Sequence, residues 1–524
     1  MTHKIIFSFL LFAVYSFNQF VSAQQVNSVS NSEYIRQRAE QAEKLRQSGD
    51  LDAALKLLDE LIKENPKFFG PYYSRGLIHQ NKKKFDLAAL DFSKAIEFQP
   101  NVAVFHFSRG LAYLRTQKFN DAVLDFTTLI KLEPRELSGY VNRGISYANL
   151  KNIDLAILDF SKAIEIKPSE AELYLFRGNA YSEVKKNELA IADYTKLIEL
   201  EPTDPLAYIN RGILYRSVGK TEAAISDFTK VFELDPMFYG AYYERGLTYA
   251  ASNKYDLAID DFTKVIKINP KFLPAYDRRA STYKKNGQLI EAISDLTKLI
   301  ELDPKSEYAL VNRAALFIDR TDYKSALNDL DSALRINPKF AGIYVNLSYL
   351  YFKFEKYDLM IFSSSKAIEL DENKAMAYNN RGYAYLEKSN LEKALNDIKK
   401  SLEFDSKLDF AHNNLGLYYI KKGEYDNALP HVRKAIALNE KLPEGYKNLG
   451  LIYLGKKEYS KAILEFNKAI QLNSNLKNAY VGRSEALKKL GRSEEAEKDE
   501  KKISEIKESL NKLDREVFRN KEEK

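Results

Sequence analysis

Cysteine is absent from the 524 residues, which excludes disulfides, thiol chemistry and thiolate metal sites. Histidine is scarce. None of the five stands in a His-x-x-x-His pair, and there is neither a phosphate-cradling glycine loop nor a nucleophile elbow. No catalytic activity and no cofactor are therefore expected. Charge of one sign is lacking too: 80 basic residues stand against 73 acidic ones, the net +7 is spread along the chain, and nucleic acid is not an expected partner. Proline (14) and glycine (21) are too few for long disordered tracts. Tryptophan is missing, although Tyr (35) and Phe (30) are plentiful.

Only one apolar run is long enough to notice, and it lies at the start. Lys4 precedes an apolar stretch from Ile5 to Phe17, and Val21-Ser22-Ala23 fits a small-x-small cleavage pattern. Residues 1–23 read as a secretory signal peptide, too short in its apolar core for the ~20 residues of a spanning helix. The mature chain is expected to have no transmembrane segment. A Lys- and Asn-rich, cysteine-free chain with this leader reads as bacterial, and either periplasmic or secreted.

What the chain does have is repetition. Pro66, Pro100, Pro134, Pro168, Pro202, Pro236, Pro270, Pro304 and Pro338 lie 34 residues apart, and that frame extends without insertion or deletion over fourteen units, 35–510. A polar leader, 24–34, precedes them, and a charged extension of a capping helix, 511–524, follows. Within the unit, position 8 is always small (Gly110, Gly144) and position 20 is Ala in thirteen units, Met360 being the exception. Position 11 is mostly Tyr, and positions 4 and 24 carry aromatics such as Tyr140 and Phe160. Apolar and small residues at 4, 8, 11 and at 20, 24, 27 predict two amphipathic helices joined by a turn such as Lys151-Asn152.

This pattern resembles the tetratricopeptide repeat, with tyrosine in place of the usual tryptophan at position 4 and arginine in place of leucine at position 7. The resemblance covers about nine-tenths of the chain. It implies an all-α solenoid of antiparallel helix pairs in a right-handed superhelix, a concave groove lined by first helices, and a non-enzymatic scaffold that binds protein or peptide.

The arginine at position 7 has a counterpart. It occurs in ten units, and Asp stands at position 23 in the same ten: Arg143 with Asp159, Arg177 with Asp193 and Arg211 with Asp227 are three of these couples. In the other four both are missing, as in Leu347 with Ser363. Each position lies eight residues from a turn near position 15, so the two face each other ~12 Å from that turn at 1.5 Å per residue. An intra-repeat ion pair that sets hairpin register is expected.

Position 6 is the candidate for function. It is Asn142, Asn210, and then Asn312, Asn346, Asn380, Asn414 and Asn448 without a break. One amide per repeat makes a ladder suited to an extended peptide, or else each Asn bonds a neighbouring repeat. At position 5, Tyr73, Phe107, Val141, Leu175, Ile209 and Tyr243 line an apolar N-terminal groove, or pack between repeats. Asn379, Asn413 and Lys447, with Lys353 and Lys421, make the C-terminal groove polar and mildly basic. The lysine and asparagine set that clamps a C-terminal carboxylate in some family members is not met. Repeat ten breaks the pattern: the proline at position 32 stops, Met360 replaces alanine and the ion pair lapses. Finally, Ile503, Ile506, Leu510, Leu513 and Val517 recur at spacings of 3 and 4, fitting a helix that caps repeat fourteen or that self-associates in a cell-envelope assembly.

Overall fold

In the computed structural model, residues 31–518 are described; the expected signal peptide, the leader up to residue 30 and residues 519–524 lie outside them. Among the described residues there are twenty-eight helices, α1 (Asn31–Ser48) to α28 (Ser493–Phe518), and no strand. Two compact units, Met1–Asn253 and Lys254–Lys524, divide in the turn of repeat seven. Each is a stack of helix pairs in the expected 34-residue frame. Repeat four is typical: α7 (Leu137–Asn149) has 13 residues and α8 (Ile153–Ile166) has 14. In repeat one the first helix begins at Asn31, so the end of the polar leader is already helical.

The turn is the same in every repeat. Position 15 takes a left-handed conformation, at Gly287 (φ 81°) as at Lys151 (φ 63°). The Lys151 N–H donates to the Ala148 carbonyl at 3.1 Å, and the Asn152 N–H to the Tyr147 carbonyl at 2.9 Å, which closes the helix as a Schellman turn.

The hairpin closes because position 8 is bare. A Cβ on Gly144 would lie 2.7 Å from Cε1 of Phe160, a ring with no solvent exposure. Where position 24 carries a leucine instead, alanine stands at position 8: Ala280 accompanies Leu296, and Ala314 accompanies Leu330. Adjacent repeats are tied by the polar tip of position 4. The Tyr140 hydroxyl donates to the Pro134 carbonyl at 3.1 Å, and Tyr174 does the same to Pro168 at 3.0 Å. His106 reaches the equivalent carbonyl of Pro100 through Nε2 at 2.9 Å, so this histidine keeps the tie that tyrosine makes.

The C-terminal helix departs from expectation. α28 is one unbroken helix of 26 residues. Ala496 and Asp499 are buried where a cap on repeat fourteen belongs, but Val517 and Phe518 are buried within the cluster formed by repeats nine and ten. The C-terminal part of its apolar stripe, Leu510, Leu513 and Val517, is thus covered inside its own unit.

Candidate interaction surface

The arginines come first, because their geometry determines what remains open. Arg143 Nε donates to Asp159 Oδ2 at 2.9 Å and Nη2 to Oδ1 at 2.7 Å, a two-pronged contact. The same fork joins Arg177 to Asp193 (2.9 and 2.7 Å) and Arg211 to Asp227 (2.9 and 2.8 Å). Six further couples repeat it, from Arg75–Asp91 to Arg483–Asp499. The tenth, Arg245 with Asp261, is divided between the two units. Hydrogen bonds to the buried carboxylate raise the Arg143 pKa above its ordinary value.

A third prong had not been expected. Arg143 Nη1 donates to Thr127 Oγ1 of the preceding repeat at 3.2 Å, Arg177 to Ser161 at 3.2 Å and Arg211 to Thr195 at 3.1 Å. One guanidinium therefore holds the hairpin and straps it to its neighbour. With all three edges engaged, position 7 is a structural tie rather than an anion site.

The asparagines do not form an open ladder. Asn142 has no exposure and donates to the Ser138 carbonyl of its own helix at 2.8 Å. Asn346 donates to the Val311 carbonyl at 2.8 Å, Asn380 to Ser348 Oγ at 2.7 Å, Asn414 to Asn379 Oδ1 at 2.8 Å and Asn448 to Asn413 Oδ1 at 2.8 Å. Each of these four donors is spent on the preceding repeat. Asn210 and Asn312 are half-buried. The reason is proximity: first helices of adjacent repeats pack closely enough that position 6 faces the neighbouring helix. At position 5 the alternative of packing in the interior holds for four of the six: Tyr73, Phe107, Val141 and Ile209 are buried, while Leu175 and Tyr243 are half-buried. Lys447 is also inside, and burial pushes its ammonium below the ordinary lysine range against the pull of Glu444 and Glu387.

On the first helices of repeats ten to twelve an aromatic cluster keeps partial exposure. Tyr349, Phe352 and Tyr383 are half-buried; Tyr349 and Phe352 stack with centroids 6.1 Å apart, and Phe352 meets Tyr383 edge-on at 5.2 Å. Lys353 Nζ lies 4.7 Å from the Tyr349 ring centre, and Lys421 pairs with Glu387 at 3.6 Å. Of the residues singled out for the groove, Lys353, Lys421 and the half-buried Asn346 keep exposure in these repeats.

Helix hairpins repeated in one 34-residue register, most of them tied by the same bonds, define an α-solenoid. The chain belongs to the tetratricopeptide repeat family: models of that repeat match residues 40–103, 138–170, 171–204, 193–226, 239–272, 273–306, 341–374, 375–408, 409–442 and 443–476. No curated protein matches the chain. Among solved structures it is similar to the APC/C hetero-tetramer Cut9–Hcn1 (16% identity, 92% of this chain and 96% of that one, TM-score 0.44). A tetratricopeptide repeat protein from Parabacteroides merdae is similar over 48% of this chain and 99% of its own (22%, TM-score 0.36). YrrB, described as a TPR protein with an unusual peptide-binding site, is similar over 35% and 95% (24%, TM-score 0.32). Tetratricopeptide repeats point to a protein-interaction scaffold, typically a non-enzymatic one. Among the described residues no helix is long and apolar enough to cross a membrane.

Proposed function

We propose that this chain is an exported, non-catalytic scaffold that captures a protein segment on the first-helix face of repeats ten to twelve. The supporting observation is the cluster of Tyr349, Phe352 and Tyr383 with Lys353 over a ring and Lys421 beside it. Partly open aromatics next to a cation make the kind of patch that concentrates binding energy at protein interfaces. A partner segment with apolar and acidic side chains complements it. The reading moves the contact from the amides of position 6 to the rings and lysines beside them.

Site-specific photo-crosslinking tests it in the producing cell. A photoreactive residue at Phe352 or Tyr383 is expected to give a discrete adduct with a partner protein, and one at Lys162 is not. Adducts of equal yield at all three, or at none, refute the assignment. Export is tested separately: alkaline phosphatase fused after residue 34 is active only if the leader is translocated.

A further inference from the structure

The far end of α28 sits in a seat that belongs to other repeats. The Phe518 ring meets Phe354 edge-on with centroids 5.1 Å apart and stacks on Tyr351 at 5.9 Å. Lys356 Nζ lies 4.8 Å from the centre of the same ring and pairs with Asp514 at 3.0 Å. Leu510 and Leu513 pack against that cluster, to which repeat nine contributes Tyr323 and Leu327. A second ion pair, Lys477 to Glu355 at 2.6 Å, joins repeat fourteen to the turn of repeat ten.

The seat is specific to one repeat. Position 14 is Lys, Ser, Thr, Asn, Arg, Val or Leu elsewhere, and only repeat ten places an aromatic, Phe354, there. The occupying helix is matched to it in shape and charge: a leucine pair, an acid for Lys356 and, four residues after that acid, an aromatic. Yet residues 511–518 lie beyond the last repeat, and of them only Val517 and Phe518 are buried. Asn511, Lys512, Arg515 and Glu516 are exposed. A short helical end held by so few buried side chains opens at little cost compared with a repeat interior.

We propose that the seat on repeats nine and ten is an exchangeable helix-docking site. Residues 510–518 occupy it in the resting chain. A partner's amphipathic helix carrying an acid and, four residues later, an aromatic displaces them. Tyr349, Phe352 and Tyr383 pack against the same apolar cluster, but the assay reads the seat through Val517 and Phe518 and so tests it apart from what those rings bind.

The test uses the full chain and a fluorescent peptide of residues 503–518, read by anisotropy. The Val517→Ala/Phe518→Ala chain, with its seat vacated, is expected to bind the peptide at least tenfold more tightly than the wild-type chain does. A peptide carrying Phe518→Ala is expected to lose that binding. Equal binding to both chains, or binding to neither, overturns the proposal. A second readout needs no variant of the seat. Carbodiimide joins a carboxylate to an ammonium in contact with it, so mass spectrometry is expected to find a Lys356–Asp514 crosslink in the wild-type chain. Excess unlabelled peptide is expected to deplete that crosslink, and its absence or its persistence unchanged also counts against the site. Light scattering that showed a dimer dissociated by the peptide would assign the seat to a second copy of the chain and overturn exchange with a partner.

Discussion

Replacing Arg143 and Asp159 singly and together measures what the repeated guanidinium does. Asp159 is 5% exposed, with both oxygens on Arg143 at 2.9 and 2.7 Å. Arg143→Leu strands that carboxylate, a loss expected to cost about 3–5 kcal/mol. Asp159→Leu is expected to cost less, about 1–3 kcal/mol, because the guanidinium keeps Thr127 and some solvent. The double Leu variant leaves no buried charge and is expected to lie within about 1 kcal/mol of wild type. The coupling is then at least about 2 kcal/mol, well above the ~0.5 kcal/mol scatter of independent sites. The chain already contains the double replacement in part: Leu347 stands with Ser363, and Gln41 with Leu57. In a solenoid the damage stays local, so amide hydrogen exchange within repeat four is the direct assay, with urea unfolding as a check. Additive effects, with coupling under about 0.5 kcal/mol, refute the pairing. Thr127→Val removes only the strap, and a loss of about 0.5–1.5 kcal/mol confined to the junction of repeats three and four is expected.

Three further perturbations address other elements of the repeat. Gly144→Ala gains helix propensity of about 1 kcal/mol but drives a methyl against the enclosed Phe160 ring, for an expected net loss of about 1 kcal/mol that Phe160→Leu added in the same chain relieves; a stabilised single variant by urea denaturation refutes it. Thr321 is β-branched at φ 62°, so Thr321→Gly is expected to stabilise repeat nine by about 1 kcal/mol, and an unchanged or lowered midpoint contradicts the strain. In repeat twelve the rings of His412 and His431 stack 6.3 Å apart, and burial first, with Lys434 near both and His412 acting on His431, pushes both below the ordinary histidine range. The folded state then resists protonation, so this contribution is present above the unfolded pKa of about 6.5 and is lost as pH falls from there through the lower folded-state pKa. The drop in thermal midpoint from pH 7.5 to 5.5 is expected to be smaller in His431→Leu, and an equal drop excludes the pair as its source.

The helix hairpin and its ion pair were legible because fourteen copies act as their own alignment. The interrepeat strap could have been read the same way, with an offset of one repeat. Position 25 is Ser93, Thr127, Ser161 or Thr195 where the next repeat has arginine, but Lys399 and Arg433, which cannot accept a hydrogen bond, precede Leu415 and Leu449. The amides at position 6 were not decidable in that way. A ladder facing solvent and a ladder buried between helices have the same period, and only the separation of the first helices distinguishes them. That separation follows from packing against both neighbours, which no single repeat encodes.

The seat for α28 was hidden for a different reason. Solenoid energetics are sums of unit and nearest-neighbour terms, so most departures from the pattern should be answered nearby. Within repeat ten that holds for Leu347 with Ser363, and for Met360, a large residue one turn before Ser364 where seven other repeats have alanine before an aromatic. Phe354 has no such answer in its own hairpin, and repeat nine answers it only on one side, where Tyr323 meets its ring edge-on at 5.0 Å. Its counterpart is Phe518, 164 positions along the chain and outside the repeat frame. In a chain of this kind, an irregularity that its own and adjoining repeats balance only in part marks a contact from elsewhere. By that criterion Phe354, rather than the asparagine series, is the residue of repeat ten whose substitution should change what the scaffold holds.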